Sequence, residues 1–330
     1  MSEHLILSIN TTMPFVILAM LGFFLKRRGL IGSNFITQGN KVIFYFAIPT
    51  TIFNHIHRAD LSTVFDMRFL VFNSAWLVVF FLGTWLVAWK LMKDKDSVSS
   101  FTNSAYRSSL SVVAPPLLVL MFDPALHPGT DPNILAKGML AVSVLLIFSY
   151  ATASVLFAVH DPNARKKGVL GVLVAIAKNP VVIGVVAGLV FNALGLRLTT
   201  ADGGATFASN SVTALANLVM PLAMICVGGN LVFHGFDTKF KYVIISVVVK
   251  LFLMPISAVL VAYLFGFRGS DLTIIMIVNA LPMAVGAYVM QAELGGNTYI
   301  GASVLMLTMT LSALTLTLFI FIFRVMGFLY

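Results

Sequence analysis

Two stretches of this sequence hold residue types that could bind an anion. In the first, SAYRSSLSVVAPPLLVLMF, Arg107, Ser108, Ser109 and Ser111 stand ahead of Pro115 and Pro116. In the second, IVNALPMAVGAYVMQAE, the notable residues are Asn279, Pro282, Gly286 and Tyr288. A proline inside a spanning helix removes one backbone hydrogen bond and clashes with the preceding turn, so freed carbonyls need protein, water or ligand as partners. Two such breaks meeting near mid-membrane would aim free N–H groups and positive half-helix ends at one point, where a carboxylate fits. The plainer reading is a packing kink, with the serines bonded back to their own helix carbonyls.

Charge favours the anion. Three charged residues fall inside apolar runs, Arg107, Lys178 and Lys250, and all are cationic, whereas all twelve acidic residues lie in loops or at segment ends. Buried carboxylates of the kind that bind sodium or protons are therefore not expected. The planar fork of Arg107 can donate two bonds to one carboxylate; alternatively it lies near the end of its segment and reaches up to lipid phosphates. Lys178 and Lys250 are expected to snorkel or to pair with helix ends. His55 and His57 form an i, i+2 pair in NHIHRAD without a third ligand, so no metal site is expected. Cys226 is the single cysteine, which excludes a disulfide within the chain. It reads as a small buried hydrophobe. The sequence contains no phosphate-binding glycine loop, nucleophile elbow or zinc-protease helix, so neither an enzyme nor a cofactor is expected.

The elements that must position these residues are membrane helices. Of 330 residues 59% are hydrophobic and 10% charged, against roughly 45–50% and about 25% in soluble domains. The apolar residues fall into runs of about 20, the length that crosses a bilayer core. The expected spans are 10–26, 38–56, 69–92, 104–122, 136–158, 169–195, 210–233, 240–265, 271–292 and 299–326. The start MSEHLILSINTTMPF lacks the basic stretch of a removable leader, so the first segment is expected to be retained. Lys and Arg number twelve in one set of alternate loops and six in the other; the richer side should be cytoplasmic, with both termini outside. Basic clusters set between apolar runs, with no continuous basic face, speak against nucleic acid as a partner.

Displacing the chain by 166 residues superposes Pro14 on Pro180, Gly22 on Gly188 and Pro116 on Pro282. Pro49 pairs with Pro221 at an offset of 172. Pro255 has no partner. Five segments per copy is an odd number, so the second copy must enter from the opposite face, giving inverted repeats over 1–160 and 161–330.

The stretches AKNPVVIGVVAGLVF, VMPLAMICVGGNL, APPLL and NALPMAVGAYVMQAE, in this order and spacing, resemble the auxin efflux carrier family, which includes bacterial malate permeases and the plant PIN-FORMED auxin exporters. The similarity covers nearly the whole chain. It implies an all-α polytopic fold of the antiporter-like, bile-acid-transporter-like kind, with ten transmembrane helices as two inverted five-helix repeats. Helices four and nine would be broken and cross at the substrate site. It further implies a scaffold domain from helices 1, 2, 6 and 7, a transport domain from helices 3–5 and 8–10, elevator-type movement, and a homodimer through the scaffold. The family commonly has asparagine at the positions of Ser109 and Gly286. Ser109 can still donate through its hydroxyl, and Gly286 lets a ligand approach the backbone. That glycine draws the expected segment-nine break toward Gly286 and away from Pro282, so the halves need not break at equivalent residues.

The expected function is a secondary transporter for malate or a similar carboxylate in the cytoplasmic membrane. Rival readings are export of amphipathic aromatic acids, a channel, and a non-transporting receptor or scaffold, the last disfavoured because hydrophilic loops reach only about 15 residues. Proton symport, exchange and facilitated diffusion stay open as coupling modes.

Overall fold

The computed structural model describes residues 2–58, 60, 64–92, 95–124, 129–160, 180–198, 206–229, 239–293 and 296–327. Lys178 lies outside them. Among the described residues the regular structure is helical: α1 (Ser2–Arg27), α2 (Ser33–Val42), α3 (Ile48–Ile56), α4 (Met67–Leu91), α5 (Lys95–Tyr106), α6 (Ala114–Phe122), α7 (Pro132–His160), α8 (Pro180–Ala193), α9 (Phe207–Asn217), α10 (Val219–Gly229), α11 (Phe240–Val248), α12 (Met254–Leu264), α13 (Gly269–Ala280), α14 (Val285–Glu293) and α15 (Thr298–Val325). Five stretches among them are long and apolar enough to cross a membrane: Met67–Lys90, Pro132–Phe157, Phe207–Gly229, Phe240–Leu264 and Thr298–Val325.

Proline explains two wide turns within otherwise continuous helix. Between α2 and α3 the N–H of Ile48 bonds the carbonyl of Ile43, and between α11 and α12 that of Met254 bonds Val249. In each case the turn closes over five residues immediately before a proline, Pro49 or Pro255, whose missing N–H would have left a gap in the regular ladder. The second wide turn, Val249–Leu253, carries Lys250.

Glycines set the closest helix crossings, which are also the most extensive, α1 with α10 and α3 with α8. A Cβ on Gly22 would stand 2.1 Å from the carbonyl oxygen of Ile225, and one on Gly228 would stand 1.8 Å from that of Ala19. At the other crossing a Cβ on Gly184 would lie 2.6 Å from the Pro49 carbonyl oxygen, and one on Gly188 2.9 Å from the Ile56 side chain and 3.4 Å from Phe53 Cα. Backbones can approach this far only where side chains are missing, the usual basis of close packing between membrane helices.

α5 departs most from expectation. Its sequence, KDSVSSFTNSAY, looks like a polar loop, and segment four was expected to begin at residue 104; the helix instead begins at Lys95. Ser97, Ser99, Ser100, Thr102, Asn103 and Ser104 are all buried, because α4, α7, α11, α14 and α15 surround this helix. Protein groups serve several of these polar side chains, while the Ser104 hydroxyl and the Asn103 side-chain oxygen have no partner among the described residues. Thr102 Oγ1 donates to the Val98 carbonyl at 2.8 Å, and Asn103 Nδ2 donates to the Ala287 carbonyl at 3.0 Å and to Gln291 Oε1 at 3.3 Å.

One end of the α4, α7 and α13 group is tied by charge. The Lys137 ammonium lies 2.9 Å from Asp66 Oδ2 and 2.7 Å from Asp271 Oδ1. Asp66 also caps α4 by accepting from the Phe69 N–H. Burial pushes the Asp66 carboxyl upward, but the Lys137 ammonium and the backbone N–H groups outweigh it and hold the group below its ordinary value.

Candidate functional site

Both proline-bearing segments are interrupted, and the interruptions meet. α5 has 12 residues and α6 has 9; α13 has 12 and α14 has 9. Between the half-helices, Ser108 and Met283 form an antiparallel bridge. The N–H of Ser109 donates to the Pro282 carbonyl at 2.9 Å, and that of Ala284 donates to the Arg107 carbonyl at 3.3 Å. Each broken backbone thus supplies the partners the other lacks, as irregular backbone at membrane depth requires. Thr308 of α15 supports the second break by accepting from the Met283 N–H at 3.1 Å.

The breaks are not equivalent. The first covers residues 107–113 and ends before Pro115 and Pro116, which sit in the first turn of α6, where proline costs no hydrogen bond. The second covers residues 281–284 and contains Pro282. The expected shift of that break toward Gly286 is therefore not found: Gly286 lies in the first turn of α14, and the chain opens at Leu281 and Pro282 because Leu281, as the residue before a proline, is driven from helical into extended backbone.

The two helix starts also differ. At α6 the N–H of Ala114 bonds the Ser109 carbonyl at 3.2 Å, Pro115 and Pro116 have no N–H, and Leu117 bonds Val113 at 3.3 Å. The expectation of free N–H groups at both half-helix starts is corrected here, since α6 contributes only its dipole. At α14 the first backbone bonds are those of Ala287 and Tyr288 to the Ala284 carbonyl, which leaves the N–H groups of Val285 and Gly286 as free donors among the described residues.

Arg107 belongs to this second start. It is 2% exposed, so the snorkelling reading is set aside; with segment four beginning at Lys95, Arg107 is no longer near its end. Its Nε donates to Ser149 Oγ at 3.1 Å, one terminal nitrogen lies 3.5 Å from Met290 Sδ, and the guanidinium sits 4.9 Å from the Tyr150 ring centre. A Cβ on Gly286, itself exposed, would lie 3.7 Å from Tyr150 Oη. Arg107 thus meets Tyr150 and Met290, and exposed Gly286, at the start of α14, lies on the hydroxyl side of the same Tyr150. Guanidinium, helix start and backbone donors in this arrangement suit a carboxylate.

Lys250 reaches the crossing from elsewhere. It is fully buried, with Nζ 2.6 Å from Ser108 Oγ, 3.1 Å from the Asn279 carbonyl and 3.2 Å from Met254 Sδ. Of the two roles expected for it, pairing with a helix end is found, at the last turn of α13, and snorkelling is not. Neither Arg107 nor Lys250 has an acidic partner among the described residues.

The remaining expected residues take different positions. Ser109 is buried with its hydroxyl unpartnered. Ser111 is half-buried in the turns leading to α6, and Pro116 is buried. Asn279 is buried and donates its side-chain amide to the Ile275 carbonyl at 2.8 Å, so only its backbone oxygen faces Lys250. Tyr288 packs, half-buried, against the apolar cluster that includes Val243, Ile300 and Val304. His55 lies in the last turn of α3 and not in a loop, while the His57 ring stacks on Phe53 with its Nδ1 2.9 Å from the Phe53 carbonyl. Sequence reasoning missed Ser149, Tyr150, Met290 and the packing role of Asn103. None of them lies beside a proline, and only the packing of α7 and α14 against the first break brings them in.

A sequence model of the family described as "Membrane transport protein" matches residues 168–320. The chain is 22% identical over 306 residues to "Uncharacterized transporter YfdV" of Escherichia coli (strain K12), covering 91% of this chain and 93% of that protein. It is 23% identical over 294 residues to an "Uncharacterized transporter" of Methanothermobacter thermautotrophicus, covering 87% and 88% respectively. The resemblance to auxin efflux carriers agrees with these matches.

Proposed function

We propose, from the premise that this chain is a membrane transport protein resembling the auxin efflux carriers, that it is a secondary transporter of a small organic anion, malate or a similar carboxylate. One observation carries the reading: a buried Arg107, with no acidic partner among the described residues, stands at a hydrogen-bonded crossing of two broken helices, close to the start of α14, where two N–H groups are free among the described residues. The substrate-binding set is Arg107, Ser108, Ser109, Ser111, Pro116, Asn279, Pro282, Gly286 and Tyr288, to which Tyr150 and Ser149 are added. The carboxylate lies against the guanidinium and the α14 start, and the unpartnered Ser109 hydroxyl is available to its polar substituents.

The architecture we propose has ten spans in two inverted halves, 1–160 and 161–330. The close crossings support it. Gly22 and Gly188, related by 166 residues, pack respectively against Ile225 and against Phe53 with Ile56; Phe53 and Ile225 are related by 172 residues, the offset of Pro49 and Pro221. The same contact thus recurs with both partners exchanged by the repeat. In this scheme helices 1, 2, 6 and 7 form a scaffold that dimerises, and helices 3–5 and 8–10 carry the crossing in an elevator-type step, with both termini extracytoplasmic. The Asp66–Lys137–Asp271 tie joins segments three, five and nine and would keep the moving part rigid.

A second reading, an amphipathic aromatic acid as cargo, is favoured by the Tyr150 ring and Met290 beside Arg107. Purified protein in liposomes, assayed for uptake of labelled malate, lactate, citrate and auxin-like acids, tests both. Saturable uptake of a short polar acid supports the first and preference for the aromatic acid the second. Absence of saturable uptake of all four by folded protein refutes anion transport.

A further inference from the structure

We propose that Lys250 sets the charge of the cargo, making the crossing selective for anions with two negative charges over analogues with one. The inference rests on the anion-carrier reading above and extends it to a residue outside the expected set.

The argument starts from the charges at the crossing. Four helix ends converge there: the C-termini of α5 and α13, and the N-termini of α6 and α14. A helix carries about half a positive charge at its start and about half a negative charge at its end. Two starts and two ends therefore cancel to a first approximation. What is left is Arg107 and Lys250, 2% and 0% exposed. Neither forms an ion pair among the described residues, whose ion pairs gather on Lys137. Asp271, the acid on α13, is engaged with Lys137 at the opposite end of that helix.

The two cations approach the bridge by different routes. Arg107 turns to α7 and α14, through Ser149, Tyr150 and Met290. Lys250 comes from the wide turn ahead of α12 and holds Ser108 and the Asn279 carbonyl. Neighbouring residues of an extended strand point to opposite faces, so at the Ser108–Met283 bridge Lys250 approaches from the Ser108 side and the Arg107 side chain leaves from the other. Lys250 need not touch the cargo, because its ammonium is one side chain away, across Ser108, in surroundings that screen charge poorly.

A purely structural role is the competing account, with Lys250 as a cap on α13. A cap would affect folding and the affinities for all cargo alike. A charge-setting residue changes the ratio between cargo of different charge. The test therefore compares binding of malate and of its monomethyl ester to wild type, Lys250→Gln, Lys250→Met and Lys250→Arg in lipid nanodiscs by calorimetry. Wild type should bind malate roughly tenfold or more tightly than the ester, the size of one charge–charge attraction acting across a side chain in poorly screening surroundings. The two neutral variants should lose most of that ratio and Lys250→Arg should keep it. Equal affinities of wild type for malate and ester overturn the proposal, whatever the variants do. A wild-type preference that survives in the neutral variants also overturns it, with anion binding left standing. Binding of neither compound refutes the underlying reading and this inference together.

Discussion

Replacing Arg107 by glutamine separates a binding arginine from a structural one. The side chain is 2% exposed, has no acidic partner among the described residues, and makes one conventional hydrogen bond, 3.1 Å to Ser149. Hydrogen bonds to charged groups contribute about 1.5–3 kcal/mol, and about 1.4 kcal/mol is tenfold in affinity. Arg107→Gln should therefore weaken the transported anion roughly 10- to 100-fold, read as a rise in the half-saturating concentration for uptake into proteoliposomes. Arg107→Lys keeps the charge but not the fork and should fall between the two. Stability should move the other way. An unpaired buried charge costs several kcal/mol by a rough reckoning, so the glutamine variant should unfold in nanodiscs at the same temperature as wild type or higher. An unchanged half-saturating concentration would refute the reasoning, as would a loss of uptake accompanied by a clear drop in unfolding temperature.

Further outcomes follow from the same geometry. Gly286→Ala meets nothing closer than 3.7 Å, so it should fold normally, yet its methyl covers the open side of the α14 start; uptake should fall several-fold with the unfolding temperature unchanged. Gly228→Ala would place a Cβ 1.8 Å from the Ala19 carbonyl oxygen, and overpacking of this kind costs about 1–3 kcal/mol or more, measurable as a lower unfolding temperature. Lys137→Met should destabilise by about 1 kcal/mol once solvent screening of the partly exposed acids is allowed for. Because the Asp66 carboxyl is held low, its contribution is complete above the ordinary carboxylate range and is lost as pH falls through its depressed folded value. The stability gap between wild type and Asp66→Asn should therefore close in acid.

What could be read from the sequence was whatever leaves a local mark. Pro282 inside an apolar run marks a break, and the crossing partner APPLL marks another, so the meeting of the two segments is legible in the sequence. Gly22 and Gly188 were legible as a pair at a fixed offset, whereas the close approach they permit shows only in the structure. α5 was misread for a physical reason: KDSVSSFTNSAY is polar because its neighbours are protein and not lipid, a distinction that hydropathy does not draw. Lys250 was undervalued in the same way. Its apolar flanks suggested a side chain escaping to the interface, and only the approach of Ser108 and Asn279, far away in sequence, gives its ammonium somewhere to stay. Tyr150 and Met290 had no signal at all, since an aromatic or a methionine in a spanning helix is ordinary packing until a cation is found beside it.

The central claim, that an organic anion is carried at the crossing, is most directly tested by an electron cryomicroscopy map of the protein in nanodiscs with malate at saturating concentration. The account predicts ligand density within hydrogen-bond distance of the Arg107 guanidinium and the Gly286 N–H. Density confined to another place, such as the apolar groove between α4 and α12 lined by Phe72, Trp76 and Phe265, would contradict it.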